Sequence, residues 1–321
     1  MTKPSILQIG IVGSGYTAED LKTLLANHPN ARIVGHHSKT LGQEIEPEPM
    51  ARQCDVVFGC GNESSSQQFV PVVLDAGKKF IDLGGSYRSK DPSEAFKLYA
   101  NRDGKNLQSA VYGLTELFAE KIRKAYLVAN PGCYPTAFLL GMAPFFNHDL
   151  VDTDQTISIT AISGYSGKGK SYKPVGGIHA YHVDEHRHRP EMVQACAQYV
   201  GAQIKLAFTP HVNDDVERGL ETHTVFTPKH ELTPEEIHAI FCDMYDGELL
   251  IQYLRDIPNI NDVVKTNLCQ ISATVQAGVI KVIAMIDNLR KGAAAQAVQN
   301  MNLMFDLPKN TGLLSTYPSH L

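Results

Sequence analysis

The sequence predicts two domains: an α/β domain on a parallel sheet, then an α+β domain whose sheet is mainly antiparallel. Three observations carry this expectation. Apolar runs of strand length alternate with helical patterns over residues 6–129, as in βαβ units. A glycine-rich turn, Gly13-Ser14-Gly15-Tyr16-Thr17-Ala18, joins the first run to the first helical pattern. From residue 156 onward the strands alternate apolar with polar residues, and helices become sparse. A chain of 321 residues is also long for a single core.

Residues 6–12 are almost wholly apolar and read as a buried parallel strand. The turn that follows is G-x-G-x-x-A in strand–turn–helix context, with Leu21, Leu24 and Leu25 marking the helix face. Glycines let the backbone close tightly and approach a pyrophosphate, and the helix N-terminus faces its charge. This predicts a Rossmann-type dinucleotide site at Gly13, Ser14, Gly15, Tyr16 and Thr17. A second strand spans 31–35. Folds that select NAD usually end it with a carboxylate for the ribose 2′-hydroxyl. Here the chain reads His36-His37-Ser38-Lys39, so Ser38 and Lys39 are expected to meet a 2′-phosphate, and NADP is the expected cofactor. The alternative is that both are solvated loop residues.

A third strand, 55–59, runs into Gly61-Asn62-Glu63-Ser64-Ser65-Ser66, where a serine is expected to cap a helix over 67–74. A fourth, 79–83, ends at Gly84-Gly85-Ser86-Tyr87-Arg88. Arg88 is a candidate anion ligand, since its planar fork suits carboxylate or phosphate. Residues 110–114 read as a further strand and 116–124 as a helix. The apolar run 126–129 then enters Asn130-Pro131-Gly132-Cys133-Tyr134-Pro135-Thr136, and a helical run leaves it at 137–142. Cys133 is therefore expected at the first turn of a helix. Unpaired N–H groups and the positive end of the dipole gather there and favour a nucleophilic thiolate. A structural thiol is the other reading of that residue taken alone.

In the second half, strands are expected at 156–162, 204–211, 221–226, 270–275 and 280–286, the last two joined near Ala277-Gly278. Between the first two lies a basic glycine-rich loop, Ser163-Gly164-Tyr165-Ser166-Gly167-Lys168-Gly169-Lys170, fit for a phosphate or simply solvated. His179, His182, His186 and His188 follow, interleaved with Arg187 and Arg189, and Pro190 is expected at the first position of a helix. Four histidines suggest zinc. The arginines put positive charge beside any metal, and no cysteine or carboxylate spacing completes a site, so no metal is expected. A general acid–base histidine flanked by anion-binding arginines fits better. Thr233-Pro234-Glu235-Glu236 is a capping box for a helix to about residue 245. Residues 287–292 open a long helix, 293–305, expected to return to the first domain. The predicted division is 1–132, completed by 289–321, against 133–288.

The net charge of −5 and pI of about 6.2 argue against a nucleic-acid-binding surface. No apolar run reaches the ~18 residues of a membrane helix. The start, Met1-Thr2-Lys3-Pro4, shows no signal-peptide pattern. Cysteines 54, 60, 133, 196, 242 and 269 form no C-x-x-C pair, which predicts a reducing, cytoplasmic setting.

Four segments together resemble one family: Asn130 to Thr136, His186-Arg187-His188-Arg189-Pro190-Glu191, Phe208-Thr209-Pro210-His211, and DNLRKGAAAQAVQNMN from Asp287 to Asn302. In that order, and nearly end to end, the chain is similar to the N-acetyl-gamma-glutamyl-phosphate reductases. These are relatives of glyceraldehyde-phosphate and aspartate-semialdehyde dehydrogenases. The resemblance implies Cys133 as nucleophile and His186 as acid–base, with His188 second. It implies nicotinamide-cofactor contacts from the glycine turn, Ser163, Gly164, Gly167 and Asn288. Asn130, Arg187, His188, Arg218 and Arg88 are the expected substrate ligands. The expected partners are a small-molecule substrate and inorganic phosphate, in a homodimer or homotetramer.

Departures occur at the first loop, which is one residue shorter than the family's G-x-x-G-Y-T-G, at Lys168 and Lys170 in the second loop, and at Gly84. The implied reaction is NADPH-dependent reductive dephosphorylation of N-acetyl-L-glutamyl 5-phosphate through a thioester. Alternatives are a reductase acting on a carrier-protein-linked acyl phosphate, and a non-catalytic NADP-binding sensor.

Overall fold

The computed structural model describes residues 6–314. Residues 1–5, before the first strand, and 315–321, at the end of the predicted terminal segment, lie outside the described residues. The chain forms two compact units, Met1–Gly132 with Ala293–Leu321, and Cys133–Gly292.

In the first unit, six parallel strands form one sheet among the described residues. They are β1 Leu7–Val12, β2 Ala31–His37, β3 Val56–Gly59, β4 Lys79–Asp82, β5 Val111–Tyr112 and β6 Leu127–Ala129. Their order is β2-β1-β3-β4-β6-β5. The predicted strands fall on these within two residues at each end. Ile9, Ile11, Val57, Phe58, Phe80 and Ile81 are fully buried, which is why these strands read as continuous apolar runs. The connections are α1 Tyr16–Ala26, α2 Pro47–Gln53, α3 Glu63–Asp75, α4 Pro92–Tyr99, α5 Gly104–Ser109 and α6 Thr115–Arg123.

Strand order reverses at β1, which lies between β2 and β3. Loops after β1 and β3 therefore emerge side by side, the position where open α/β sheets bind ligands. Helix α3 begins at Glu63, and its cap is Asn62, not a serine. The Asn62 side-chain oxygen accepts from Ser65 N–H at 3.0 Å, while Ser66 turns inward to Asp82 at 2.6 Å.

The second unit opens on α7, Cys133–Asn147, which puts Cys133 in the first helical turn as expected and runs beyond the apolar run 137–142. Its residues Tyr134 to Phe146 are all buried. The sheet comprises β7 Thr156–Gly164, β8 Ile178–Ala180, β9 Lys205–Asn213, β10 Leu220–Phe226, β11 Ile251–Tyr253, β12 Cys269–Gln276 and β13 Val279–Ile286, ordered β11-β12-β13-β10-β7-β9-β8. Four neighbouring pairings are antiparallel, while β7 with β9 and β11 with β12 run parallel, so the sheet is mixed. The β7–β9 crossover is parallel because α8, His188–Val200, intervenes. β12 and β13 join through Ala277 and Gly278, both at positive φ (51° and 75°), as a two-residue hairpin demands.

Helix α8 begins at His188, so Pro190 is third in it rather than first; there its missing N–H still breaks no helical bond. Helix α9, Pro234–Tyr245, carries the predicted capping box in full. Phe145 of α7 stacks edge-on against Phe226 at 5.0 Å and Phe241 at 5.5 Å between centroids, anchoring α7 between sheet and α9.

The predicted last helix is divided. A π turn, Arg290–Ala294, precedes α10, Ala295–Met304, which belongs to the first unit. Its Gln296 donates to Gly113 O at 3.0 Å and Thr115 Oγ1 at 3.1 Å, and Asn300 donates to Gly113 O at 2.8 Å and Asn130 Oδ1 at 3.0 Å. Both side chains are fully buried, and the partners of their NH2 groups sit 170 or more residues earlier in sequence.

Thr233 is exposed, so its contribution is the cap alone. Thr233→Ala is expected to lower stability by about 1 kcal/mol. A urea titration checks this: the midpoint falls with unchanged slope, and Thr233→Ser restores it.

Candidate active site

Cys133 is the first residue of α7 and is half-buried. The helix tolerates Pro135 at its third position because the first turn does not use the N–H that proline lacks. The thiol's place is set by packing on its other side. A Cβ built on Gly292 would meet the Cys133 Cβ at 2.8 Å and Asp287 O at 3.2 Å, so only glycine admits this approach. Gly292 N–H donates to that same Asp287 carbonyl at 3.0 Å.

Beside Cys133 runs a directed hydrogen-bond chain. His188 N–H donates to His186 Nδ1 at 3.1 Å. In the neutral imidazole the proton is then on Nε2, which faces the Tyr181 hydroxyl at 3.4 Å. Tyr181 donates to the Tyr134 hydroxyl at 3.4 Å, and Tyr134 donates to His211 O at 2.8 Å. Tyr134 also packs edge-on with His186, His188 and Phe208. Burial first, then the charges of Arg187 and His182, push the His186 pKa down to about 4. At neutral pH its imidazolium is thus about one part in a thousand. An N–H already aimed at Nδ1 opposes protonation in the same sense. Burial likewise pushes Tyr181 up to about 12. The chain therefore offers a neutral imidazole N–H, not a ready imidazolium.

The predicted cofactor residues of this unit come together at the end of β7. Ser163 and Gly164 finish the strand, and the loop proper is a 3₁₀ turn over Tyr165–Lys168. Asn288 donates to Ser166 Oγ at 2.9 Å and accepts from Gly219 N–H at 3.0 Å. Gly167 lies close by: its Cβ would stand 3.4 Å from Ser163 Oγ and 3.7 Å from Asn288 Nδ2. Lys168 extends over the rings of Tyr181 and Tyr172, at 4.2 and 4.6 Å from their centroids. Arg218 pairs with buried Asp287 at 3.2 Å. Arg187 is exposed, and His188 opens α8 as a buried residue. His182 and His186 rings are 6.4 Å apart, yet among the described residues no group of three His, Cys, Asp or Glu side chains is arranged to hold a metal.

In the first unit, Gly13 adopts φ +114°, and a Cβ there would meet the backbone of Cys60 and Gly61 at 2.6 Å. The loops after β1 and β3 thus touch, which only a glycine at 13 permits. Gly15 precedes α1 with no side-chain cap and nothing within 4 Å of a built Cβ, so the helix N-terminus behind Tyr16 and Thr17 opens on clear space. Ser38 Oγ donates to Ser14 Oγ at 2.8 Å and caps the turn that contains Lys39, which is exposed. His36 Nε2 bonds Gly13 O at 2.8 Å.

Arg88 is buried and donates to Asn130 O at 2.8 Å and Leu83 O at 3.2 Å. Asn130 is also buried, accepting from Asn300 and donating to Ala293 O at 3.2 Å. Both predicted substrate ligands thus brace the Asn130–Gly132 approach. Asp82 organises the neighbouring loop, taking N–H groups of Gly84, Gly85 and Tyr87 and the Ser66 hydroxyl.

Residues 8–125 match the semialdehyde dehydrogenase NAD binding domain, and residues 133–288 match the semialdehyde dehydrogenase dimerisation domain. The N-acetyl-gamma-glutamyl-phosphate reductase of Symbiobacterium thermophilum is 37% identical, covering 97% of this chain and 99% of its own. Those of Geotalea daltonii and Archaeoglobus fulgidus are 36% and 34% identical, covering 97% and 96% of this chain and 99% and 98% of theirs. The chain belongs to the N-acetyl-gamma-glutamyl-phosphate reductase family. Solved structures share the fold at low identity. Aspartate semialdehyde dehydrogenase with NADP from Candida albicans superposes with TM-score 0.72 at 14% identity, covering 96% of this chain and 100% of that one. Aspartate semialdehyde dehydrogenase II complexed with ASA from Vibrio cholerae gives 0.71 at 16%, covering 95% and 99%.

For a member of this reductase family, sequence reasoning missed Tyr181, Asp82, Asp287 and Gly292. Tyr181 lies in the histidine segment and Asp287 opens the DNLRKG segment, but their partners come from other elements. No local signal separates them from solvated residues.

The His186 shift has a stability consequence. The unfolded chain takes a proton near pH 6.5 and the folded chain near 4, so folding is favoured fully above 6.5 and progressively less as pH falls towards 4. Denaturant unfolding at pH 7 and 4.5 is expected to show His186→Asn losing less stability than wild type across that window, by up to about 3 kcal/mol.

Proposed function

We propose that the chain reduces N-acetyl-L-glutamyl 5-phosphate to N-acetyl-L-glutamate 5-semialdehyde, releasing inorganic phosphate, with NADPH, as a step of arginine biosynthesis. The observation that carries this reading is Cys133 at the start of α7, next to Tyr134 in the chain that orients a neutral His186 N–H. The named relatives supply the substrate class.

The glycine turn fits a dinucleotide: clear space before α1 suits a pyrophosphate on its N-terminal N–H groups. Ser38, bonded to Ser14, and exposed Lys39 would hold a 2′-phosphate, and no carboxylate stands at the end of β2 to demand a free ribose hydroxyl. Ser163, Gly164, Gly167 and Asn288 form the second set of contacts. When bound, NADPH supplies the hydride.

The Cys133 thiolate attacks the acyl-phosphate carbon, and the bond to phosphate oxygen breaks with phosphate taking the electron pair. The thioester on Cys133 accepts hydride where a carboxylate would not. The carbon–sulfur bond then breaks, returning the thiolate and releasing the aldehyde. N–H groups at the start of α7 donate to the carbonyl oxygen as its charge develops. His186 is the residue assigned to acid–base work beside Cys133, and burial and the Arg187 charge favour its neutral form at rest. Arg187, His188 and Arg218 are the ligands assigned to the substrate's carboxylate and phosphate. Arg88 and Asn130 are the further residues assigned to the substrate, and their hydrogen bonds hold the Asn130–Gly132 segment.

In this reading the first unit binds NADP, the second carries catalysis and subunit association, and the protein works as a homodimer or homotetramer in the cytoplasm. No helix among the described residues is long and apolar enough to cross a membrane.

The test is the phosphate-dependent reverse reaction, run with NADP and NAD. Wild type should reduce NADP in preference. Cys133→Ala should lose turnover by at least about 10³-fold, as removal of a covalent nucleophile does, while still binding NADPH in a fluorescence titration. Near-normal turnover in that variant refutes the thioester.

A further inference from the structure

We propose that Asp287 is a positioning residue of this reaction: its buried carboxylate holds the Arg218 guanidinium as a clamp for the substrate's anionic group. The inference rests on the catalytic reading above and assigns a role to a residue outside its catalytic set.

Asp287 ends the approach from β13 and is fully buried. Both its oxygens are engaged twice. Oδ1 accepts from Leu289 N–H at 2.8 Å and Arg290 N–H at 3.0 Å. Oδ2 accepts from Lys265 N–H at 2.7 Å and from the Arg218 guanidinium at 3.2 Å. Three segments of chain are thereby fixed to one side chain: the turn after β13, the loop before β12, and the loop before β10.

Lys265 is held at φ +61°, a conformation that a non-glycine residue adopts at some cost, and its N–H points at this carboxylate. Such strain persists where surrounding structure over-determines it. The main chain of the same residue faces the nucleophile. Asp287 O takes the Gly292 N–H, and the Gly292 Cα is where a Cβ would strike Cys133. One residue therefore touches the arginine through its side chain and the seat of the thiol through its carbonyl.

A solvated arginine has many rotamers and would bind an anion only after losing that freedom. Arg218 is only 11% exposed at its side chain, and its salt bridge to Asp287 restricts its rotamers before any substrate arrives. Electrostatics alone predicts the opposite effect. A carboxylate at 3.2 Å weakens the field Arg218 presents to an anion, so its removal would strengthen anion attraction. The two roles give opposite signs and can be separated.

The probe is alkylation of Cys133 by iodoacetate, an anion, against neutral iodoacetamide, with peptide mapping to distinguish Cys133 from exposed Cys242. In Asp287→Asn, which keeps the shape, the iodoacetate-to-iodoacetamide rate ratio should fall about ten-fold. That size is typical of losing one oriented charged hydrogen bond. Arg218→Met should fall similarly, and the double variant no further, because both substitutions remove one clamp.

With acyl phosphate as substrate, the same variants should raise KM more than they lower kcat. A ratio that rises in Asp287→Asn, stays unchanged, or falls independently in the double variant overturns the proposal. If Asp287→Asn does not fold, Arg218→Lys decides: it keeps the charge but not the fork, and an unchanged ratio overturns the clamp. The alkylation ratio needs no turnover. A wild type inactive on the acyl phosphate but showing these ratios refutes the proposed substrate alone, and normal turnover with unchanged ratios refutes the clamp alone.

Discussion

Two buried carboxylates, one in each unit, hold the loops around them in shape. Asp82 closes β4 and Asp287 follows β13; both are fully buried. An unpaired carboxylate in such a place would be strongly destabilising. Each is retained because four donors converge on it, mostly backbone N–H groups of the loop that follows. The requirement to satisfy a buried carboxylate thus becomes a constraint on loop shape. Near Asp82, burial keeps the carboxyl above its ordinary range even though Ser66, Arg88 and the loop N–H groups oppose it. The Gly84–Arg88 turn is therefore built around the carboxylate, and Arg88 reaches from it to brace the carbonyl of Asn130.

The histidine segment follows similar logic with the opposite sign of charge. His186 is placed where water cannot support an imidazolium, next to Arg187, and with a backbone N–H directed at Nδ1. All three features favour the neutral ring with its proton on Nε2. Tyr181 and Tyr134 extend that polarity to the His211 carbonyl, so each hydroxyl donates in one direction only. A donor whose orientation is set beforehand needs no reorganisation when charge develops on a substrate oxygen. The acid–base histidine that the sequence suggests is thus held, at rest, as a neutral ring with a defined tautomer.

The parallel sheet was legible because burial on both faces leaves continuous apolar runs, and the hairpin because Ala277-Gly278 occupies a two-residue turn. The capping box at Thr233 and the helix start at Cys133 are likewise statements about residues within one turn of each other. Less legible were short α2, α4 and α5, although Asp91-Pro92 was a readable start for α4, with Asp91 capping Ser93 and Glu94 N–H groups. The parallel pairing of β7 with β9 was also hidden, since strand direction depends on the path of the intervening chain and not on alternation.

By itself the sequence determined the order of elements, the glycine turn, the place of Cys133 at a helix start and the family to which the chain belongs. Each is carried by neighbouring residues or by contiguous segments. Only the tertiary structure decided which polar side chains reach solvent and which are bound inside. Arg88 and Asn130 read as isolated polar residues in sequence, but their hydrogen-bond partners lie 42 and 170 residues away. The His186 tautomer and the bond between Arg218 and Asp287, 69 residues apart, are decided in the same way. A polar side chain's role depends on the groups that desolvate and satisfy it, and folding brings those groups from elsewhere in the chain.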